Sequence, residues 1–156
     1  MTSILFVCHG NICRSTMAEF VMKDLVHKQG LSAEFHIESA ATHNDEIGND
    51  THYGTKRKLD EMGVPYTKRA ARRIRKQDYE TFDLIIGMDS ENMYHLASVF
   101  SPDPQHKVHK LLEYCGIDRD VADPWYTGDF DATWNDVYSG CLALLHLYIK
   151  NKETRT

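Results

Sequence analysis

Cysteine is scarce in this chain. Four residues (Cys8, Cys13, Cys115, Cys141) among 156 are too few for a disulfide scaffold, which points to a reduced, cytoplasmic protein. Four prolines and nine glycines exclude a collagen-like or low-complexity chain. Long apolar runs are absent. None approaches the roughly 18 residues of a membrane span, and Ile4-Leu5-Phe6-Val7, with no basic region before it, is too short for a signal peptide. An excess of positive charge is also missing: 18 Lys and Arg against 23 Asp and Glu leave −5, the wrong sign for a domain that grips nucleic acid through its phosphates. What is present is ordinary for a globular protein, with 42% apolar and 26% charged residues. The length and the lack of any repeat or linker predict one domain over 1–156, with about 8,000 Å² exposed when folded.

Short apolar runs alternate with longer helical patterns. Ile4–Val7 reads as a buried strand, and Ser15 to about Lys28 as a helix with Met17, Val21 and Leu25 on one face. Phe35–Ser39 alternates like a strand. Asp50 to about Met62 reads as a helix closed by Gly63, with Pro65 just beyond. Leu84–Met88 is apolar without alternation, as in an interior parallel strand. Ser90 to about Val99 predicts another helix and Val108–Leu112 a fourth strand. In the last helix Trp134, Val137, Tyr138, Cys141, Leu144, Leu145 and Tyr148 form one stripe, with Thr133 and Asp136 placed to cap its start. This succession predicts an α/β fold: a four-stranded, parallel, twisted sheet with helices on both faces. Ligands of such sheets bind at the carboxyl ends of the strands, so the loop after the first strand is where chemistry is expected.

That loop reads Cys8-His9-Gly10-Asn11-Ile12-Cys13-Arg14-Ser15. A strand, a tight loop with Gly and Asn, and a helix N-terminus together make an anion site, since backbone N–H groups converge and the helix end adds positive partial charge. Neither a Walker lysine pattern nor a dinucleotide glycine pattern is present. Instead a cysteine opens the loop and an arginine closes it. The amides that hold a phosphate also stabilise a thiolate. Arg14 can pair two phosphate oxygens with its planar fork. Ser15 can donate to the sulfur, and Asn11 can hold the loop in shape. Cys8 in line behind phosphorus implies attack to give a phosphocysteine. Taken singly, each residue has a bland reading, the cysteine as a small core residue and the arginine as a solvated charge. Their joint spacing reverses that balance.

With Asp123-Pro124-Trp125-Tyr126 far downstream, and with Ser39-Ala40-Ala41 and Met88-Asp89 after the second and third strands, the loop makes the sequence resemble the low-molecular-weight protein tyrosine phosphatases over nearly its whole length. The resemblance implies metal-free, cofactor-free hydrolysis of phosphotyrosine and small aryl phosphates through a cysteinyl phosphate. It implies Cys8, Arg14 and Asp123 as catalytic residues, and His9, Gly10, Asn11, Ile12, Cys13, Arg14 and Ser15 as the phosphate loop. The partners it implies are phosphotyrosine proteins, with inorganic phosphate as product, no nucleic acid and no membrane. The sequence leaves the oligomeric state open; a monomer is expected, with weak dimerisation as the alternative.

Six aspartates lie between Asp118 and Asp136, and residue chemistry alone does not choose a proton donor among them. Asp123, with Pro124 restricting the backbone and Trp125 and Tyr126 supplying ring surface, has the best local case, and the resemblance selects it. The other five are expected to be loop or helix-start charges. Trp125 and Tyr126 are expected to wall an aromatic cleft, and the resemblance makes Tyr126 a candidate phosphorylation site. It also implies that Cys13 traps an oxidised Cys8 as a disulfide.

Two positions depart from the family pattern. Asp45 stands where many members place an aromatic wall, and an acidic group there repels acidic phosphopeptides. Arg69 stands where a histidine often supports the loop, and arginine donates but does not accept. Arg69 belongs to a basic run, 68–76, expected by default to be a solvated face, with docking of an acidic protein partner or steering of phosphorylated substrates as the alternatives. Rival functions are disfavoured on residues. Ile12 replaces the threonine of phosphoarginine-directed relatives. The 26 positions between Cys115 and Cys141 do not suit an arsenate reductase. A sugar-transport phosphocarrier has no need of Arg14 with Asp123, and a mere phosphate-binding module has no need of a nucleophile with an acid. Zinc on Cys8, His9 and Cys13 lacks a completing ligand pair.

Overall fold

The computed structural model describes residues 1–155. In chain order the main elements are β1 (Thr2–Cys8), α1 (Arg14–Lys28), β2 (Phe35–Ala41), α2 (Tyr53–Glu61), a single turn α3 (Asp78–Thr81), β3 (Leu84–Gly87), α4 (Ser90–Phe100), β4 (Val108–Lys110), a short α5 (Pro124–Thr127) and α6 (Phe130–Thr154). The strands are all parallel, in the order β2-β1-β3-β4. The molecule exposes 8144 Å², as the length predicts.

β1 is central and is covered on both sides. Ile4 and Phe6 face the cluster built with Met17, Val21 and Leu25 of α1 and Val137, Cys141 and Leu144 of α6. Leu5 and Val7 face Ile74, Phe82, Leu96 and Phe100 on the other side. All four strand residues are fully buried, each contributing on the order of 1.5–3 kcal/mol. The loop after β1 is therefore carried on the most firmly packed strand of the sheet. It leaves that strand between β2 and β3, where the chain order reverses, which is the crevice such sheets use for ligands.

Element boundaries shift in places from those the sequence suggests. β4 stops at Lys110, because Leu111–Cys115 turns into a 3₁₀ segment that ends on Gly116 in the left-handed region (φ 71°). The last helix begins earlier than Thr133. Gly128, also left-handed, ends α5, and Asp129 then caps α6 by accepting from the Ala132 amide at 2.9 Å. Thr133 and Asp136 do not cap it. Thr133 is buried and donates its hydroxyl to the Ala122 carbonyl at 3.1 Å, while Asp136 takes both guanidinium nitrogens of Arg119 at 2.7 and 2.8 Å. Of the expected stripe, Trp134, Val137, Cys141, Leu144 and Leu145 are buried, whereas Tyr138 is exposed.

The basic run is also only partly a solvated face. Ala71 and Ile74 are buried, Arg73 bridges to Ala41 beside the end of β2, and Arg72 pairs with the buried Asp78 at 3.1 Å. No helix among the described residues is long and apolar enough to cross a membrane.

Candidate active site

The loop from Cys8 to Ser15 closes over the N-terminus of α1, whose first turn holds no acidic residue and has no side-chain cap. No backbone N–H between Gly10 and Arg14 donates to a protein acceptor among the described residues. A ring of free amides at a helix start is an anion cradle. Asn11 makes the tight turn by adopting φ 60°, a left-handed conformation that Asn tolerates better than most residues.

Asn11 is fully buried and holds the loop from both ends of its amide. Its Nδ2 donates to Ser15 Oγ at 2.9 Å and to Ser39 Oγ at 2.8 Å. Its Oδ1 accepts from the Arg69 guanidinium and, at 3.3 Å, from the Arg72 amide. The Ser39 hydroxyl in turn donates to Glu19 Oε1 at 2.5 Å. Arg69 thus supplies the donor that the loop needs, so its inability to accept costs nothing here. Burial lowers the Arg69 pKa, against the opposing pull of Glu19 and Asp50.

At the floor of the loop Cys8 is buried, and its thiol donates to Ser15 Oγ at 3.1 Å. Once the thiol ionises, the hydroxyl is positioned to donate to the sulfur. Arg14 is 2% exposed yet charged. Its Nη1 donates to Asp89 Oδ2 at 2.7 Å and to the Val121 carbonyl at 3.0 Å, and its Nη2 to Asp123 Oδ2 at 3.3 Å. Burial opposes the charge, but Cys8, Asp123 and Asp89 together outweigh it and raise the Arg14 pKa. Its Nε is buried without a protein partner. Such a donor, beside a ring of free amides, suits an oxyanion.

A cavity of 280 Å³ opens over this floor, lined by Cys8, His9, Gly10, Ile12, Cys13, Arg14, Asp45, Asp89, Asp123, Trp125 and Tyr126 among others. Asp123 caps α5 by accepting from the Trp125 amide at 3.1 Å, which leaves its second oxygen turned to Arg14. Pro124 at the first helical position fixes that turn. Trp125 and Tyr126 are 59% and 85% exposed, so their ring surface is available at the rim. Asp45 lies opposite and pairs with His9 Nε2 at 2.7 Å; this contact lowers its pKa. Ile12 packs with Cys13 and Ala71. Cys13 is buried, and desolvation, reinforced by Cys8 and Asp123, pushes its thiol up to about 12.

The loop residues Cys8, His9, Gly10, Ile12, Cys13 and Arg14 therefore meet Asp45, Asp123, Trp125 and Tyr126 around one cavity, with Asn11 and Ser15 beneath it. Four of the other five aspartates are occupied elsewhere: Asp120 with Lys110 and Ser90, Asp131 with Lys58, Asp129 as a cap and Asp136 with Arg119. Sequence reasoning missed four contributors. Asp89 caps α4 through the Asn92 amide at 2.7 Å and holds Arg14 with its other oxygen. The cap is readable in Asp89-Ser90-Glu91-Asn92, but the reach to Arg14 is not. Ser39 lies in a stretch that carries the resemblance, as Asp89 does, but its contacts, like those of Glu19 and the Val121 carbonyl, are tertiary and not legible in a local window.

Comparison with known proteins agrees with this geometry. The profile of the low molecular weight phosphotyrosine protein phosphatases matches residues 3–154. The low molecular weight protein-tyrosine-phosphatase YfkJ of Bacillus subtilis is 39% identical, over 98% of this chain and 99% of its own. Its crystal structure superposes with a TM-score of 0.93 over 97% of both chains, at 40% identity. The phosphatase PtpA of Staphylococcus epidermidis is 34% identical over 97% of this chain and 96% of its own. The Drosophila arginine phosphatase DARP is 31% identical with a TM-score of 0.84, covering 95% of this chain and 98% of its own. Matched almost from end to end in sequence and in fold, the chain belongs to the low molecular weight phosphotyrosine protein phosphatase family.

Proposed function

We propose that residues 1–156 form one catalytic domain, a monomeric cytoplasmic phosphatase that hydrolyses phosphotyrosine in proteins, and small aryl phosphates, in two steps through Cys8. The observation that carries this reading is the Cys8 thiol at 3.1 Å from Ser15 Oγ, on the floor of a pocket whose arginine is fixed by two carboxylates.

The phosphoryl group sits in the loop with its equatorial oxygens on the amides of residues 9–15 and on Arg14. Cys8 thiolate attacks phosphorus, the P–O bond to the phenol breaks, and Asp123 delivers its proton to the departing oxygen. The S–P bond then breaks as water attacks, Asp123 takes the water's proton, and inorganic phosphate leaves. Ser15 donates to the thiolate as it departs. Arginine and amides supply the positive charge that the transition state needs, so the route uses no metal and no cofactor. Two limits of the cleft follow. Ile12 at the pocket wall favours an aryl over a guanidino leaving group, in contrast with the arginine phosphatase named above. Asp45, Glu46, Asp89 and Glu91 around the same cavity disfavour peptides with acidic flanks. Cys13 is the trap for an oxidised Cys8, and Tyr126, 85% exposed, is accessible to a kinase.

The test is hydrolysis of a phosphotyrosine peptide at mildly acidic pH with chelator present, comparing the native chain with Cys8→Ser. Turnover by the native chain alone supports the reading. Turnover by both discards Cys8 as nucleophile. Turnover of phosphoarginine in preference to phosphotyrosine overturns the substrate assignment.

A further inference from the structure

The ring surface that Trp125 presents at the rim of the cavity continues outside it. Trp125 meets the half-buried His52 ring edge to face, with centroids 5.9 Å apart and planes at 74°. His52 in turn stacks on Tyr53 at 4.4 Å and on Phe130 at 5.8 Å. Tyr53 is 70% exposed, and Trp125 and Tyr126 are exposed as well. A strip of rings thus leads from the cavity to the first turn of α2. Contiguous exposed apolar surface of this kind marks a place where another molecule binds.

The strip is held in place from several sides. The His52 amide donates to the Ile12 carbonyl at 2.8 Å, which ties it to the phosphate loop. His52 Nδ1 accepts from the Gly54 amide at 3.0 Å and so caps α2. Asp, Asn, Ser or Thr is the usual residue for that task, and histidine adds a ring to the capping atom. Gly54 makes room for the packing, since a Cβ there would lie 2.3 Å from Phe130 Cζ. The guanidinium of Arg57, itself exposed, lies over the Tyr53 ring, 5.9 Å from its centroid. Asp45, Glu46, Asp89 and Glu91 make other parts of the mouth acidic. A chain leaving the pocket along the strip meets rings and one cation, whereas a chain leaving past Asp45 and Glu91 meets carboxylates.

We propose that Trp125, His52 and Tyr53 form a subsite for an aromatic side chain of the phosphotyrosine polypeptide, within three residues of the phosphotyrosine on one side. The steps of 5.9 and 4.4 Å from Trp125 through His52 to Tyr53 match about three residues of extended chain, at roughly 3.3 Å each. Offset or edge-to-face contact on the open Tyr53 ring is the geometry aromatic pairs prefer. The partner rests on the proposed phosphatase function; the subsite selects among phosphotyrosine proteins and takes no part in phosphoryl transfer. Its rings are supplied by two segments far apart in the chain, 52–53 and 125–130, which the capping of α2 and the turn at Gly128 bring together.

The test uses phosphotyrosine peptides in which Phe replaces Ala at one position at a time, up to three residues to either side. Binding is measured by calorimetry on the Cys8→Ser chain, and kcat and KM on the native chain. On one side of the phosphotyrosine, Phe should tighten binding about three- to tenfold, the worth of one aromatic contact, and raise kcat/KM through KM. Tyr53→Ala should abolish this Phe-over-Ala ratio, and Tyr53→Phe, which keeps the ring, should retain it. Tyr138→Ala, on α6 and outside the strip, should leave it as it is. The ratio is read within each variant, so a general loss of activity or stability cancels. Equal affinity for the Phe and Ala peptides, or a ratio that survives Tyr53→Ala, overturns the subsite; turnover by the native chain then leaves the phosphatase reading standing. Equal affinity together with self-association that Tyr53→Ala abolishes, read by sedimentation, gives the strip to a second copy of the chain. Phe-dependent binding by Cys8→Ser without turnover by the native chain supports the subsite and counts against the phosphatase reading. A chain that binds none of the peptides overturns both.

Discussion

Arg14 Nη1 and Asp89 Oδ2 are 75 residues apart in the chain and 2.7 Å apart in the structure. The same carboxylate caps α4, so one side chain ties the start of α1 to the start of α4 across the end of the sheet. Asp89→Asn separates the two roles, because Asn caps a helix about as well as Asp but carries no charge. The expected result is a Tm within about 2–4 °C of native and a fall in kcat/KM of roughly 10²-fold, the cost of a misplaced catalytic group. Thermal melts and steady-state kinetics on one preparation check both.

Asp123→Asn should slow hydrolysis of phenyl phosphate by about 10²–10⁴-fold, the usual worth of a general acid. The loss should shrink for phenols that leave without a proton. Steady-state kinetics with two leaving groups of different basicity measure both effects.

Cys13 is pushed up to about 12, so at pH 7 about one thiol in 10⁵ is ionised. Cys13 should resist iodoacetamide in the folded chain at neutral pH. After peroxide, formation of the Cys8–Cys13 disulfide should accelerate about tenfold per pH unit, since the attacking species is the thiolate. Peptide mapping against pH reads this directly. In Cys13→Ser, Cys8 should proceed to the sulfinic acid.

Asp50 supports the segment that carries Arg69. Burial raises its pKa, but Lys56 at 2.7 Å and the Thr51 and Arg69 amides outweigh it and bring the value to about 2. A carboxyl lowered on folding stabilises above its unfolded pKa, near 3.8, and that contribution is lost as pH falls through about 2. Asp50→Ala should lower Tm by roughly 2–4 °C at pH 7, for a partly solvated pair worth about 1 kcal/mol. The gap should close between pH 4 and pH 2, and melts across that range test it.

Gly140 on α6 faces Leu111, and an added Cβ would lie 2.5 Å from Leu111 Cγ. Gly140→Ala gains about 1 kcal/mol of helix propensity and meets overpacking of about 1–3 kcal/mol. The net expectation is a lower Tm, measured by melting, with kcat unchanged.

What could be read from the sequence divides along physical lines. Strands buried on both faces, such as Ile4–Val7, announce themselves by composition, and the phosphate loop by the spacing of Cys8 and Arg14. Asp123 needed the family resemblance, because six aspartates crowd one stretch. The structure sorts them by giving four of the others their own partners. The start of α6 was misread because Thr133-x-x-Asp136 imitates a capping pattern, whereas the left-handed Gly128 decides the break. The contacts of Asp89, Glu19 and Ser39 depend on which strands are neighbours, which no local window contains.

Two-step hydrolysis through Cys8 requires that its sulfur carry the phosphoryl group between the steps. Rapid mixing of the native chain with an aryl phosphate, acid quench and peptide mapping by mass tests it most directly. One phosphoryl group, at no more than one per chain, is expected on the peptide containing Cys8. Turnover with the phosphoryl group on any other residue contradicts Cys8 as its carrier.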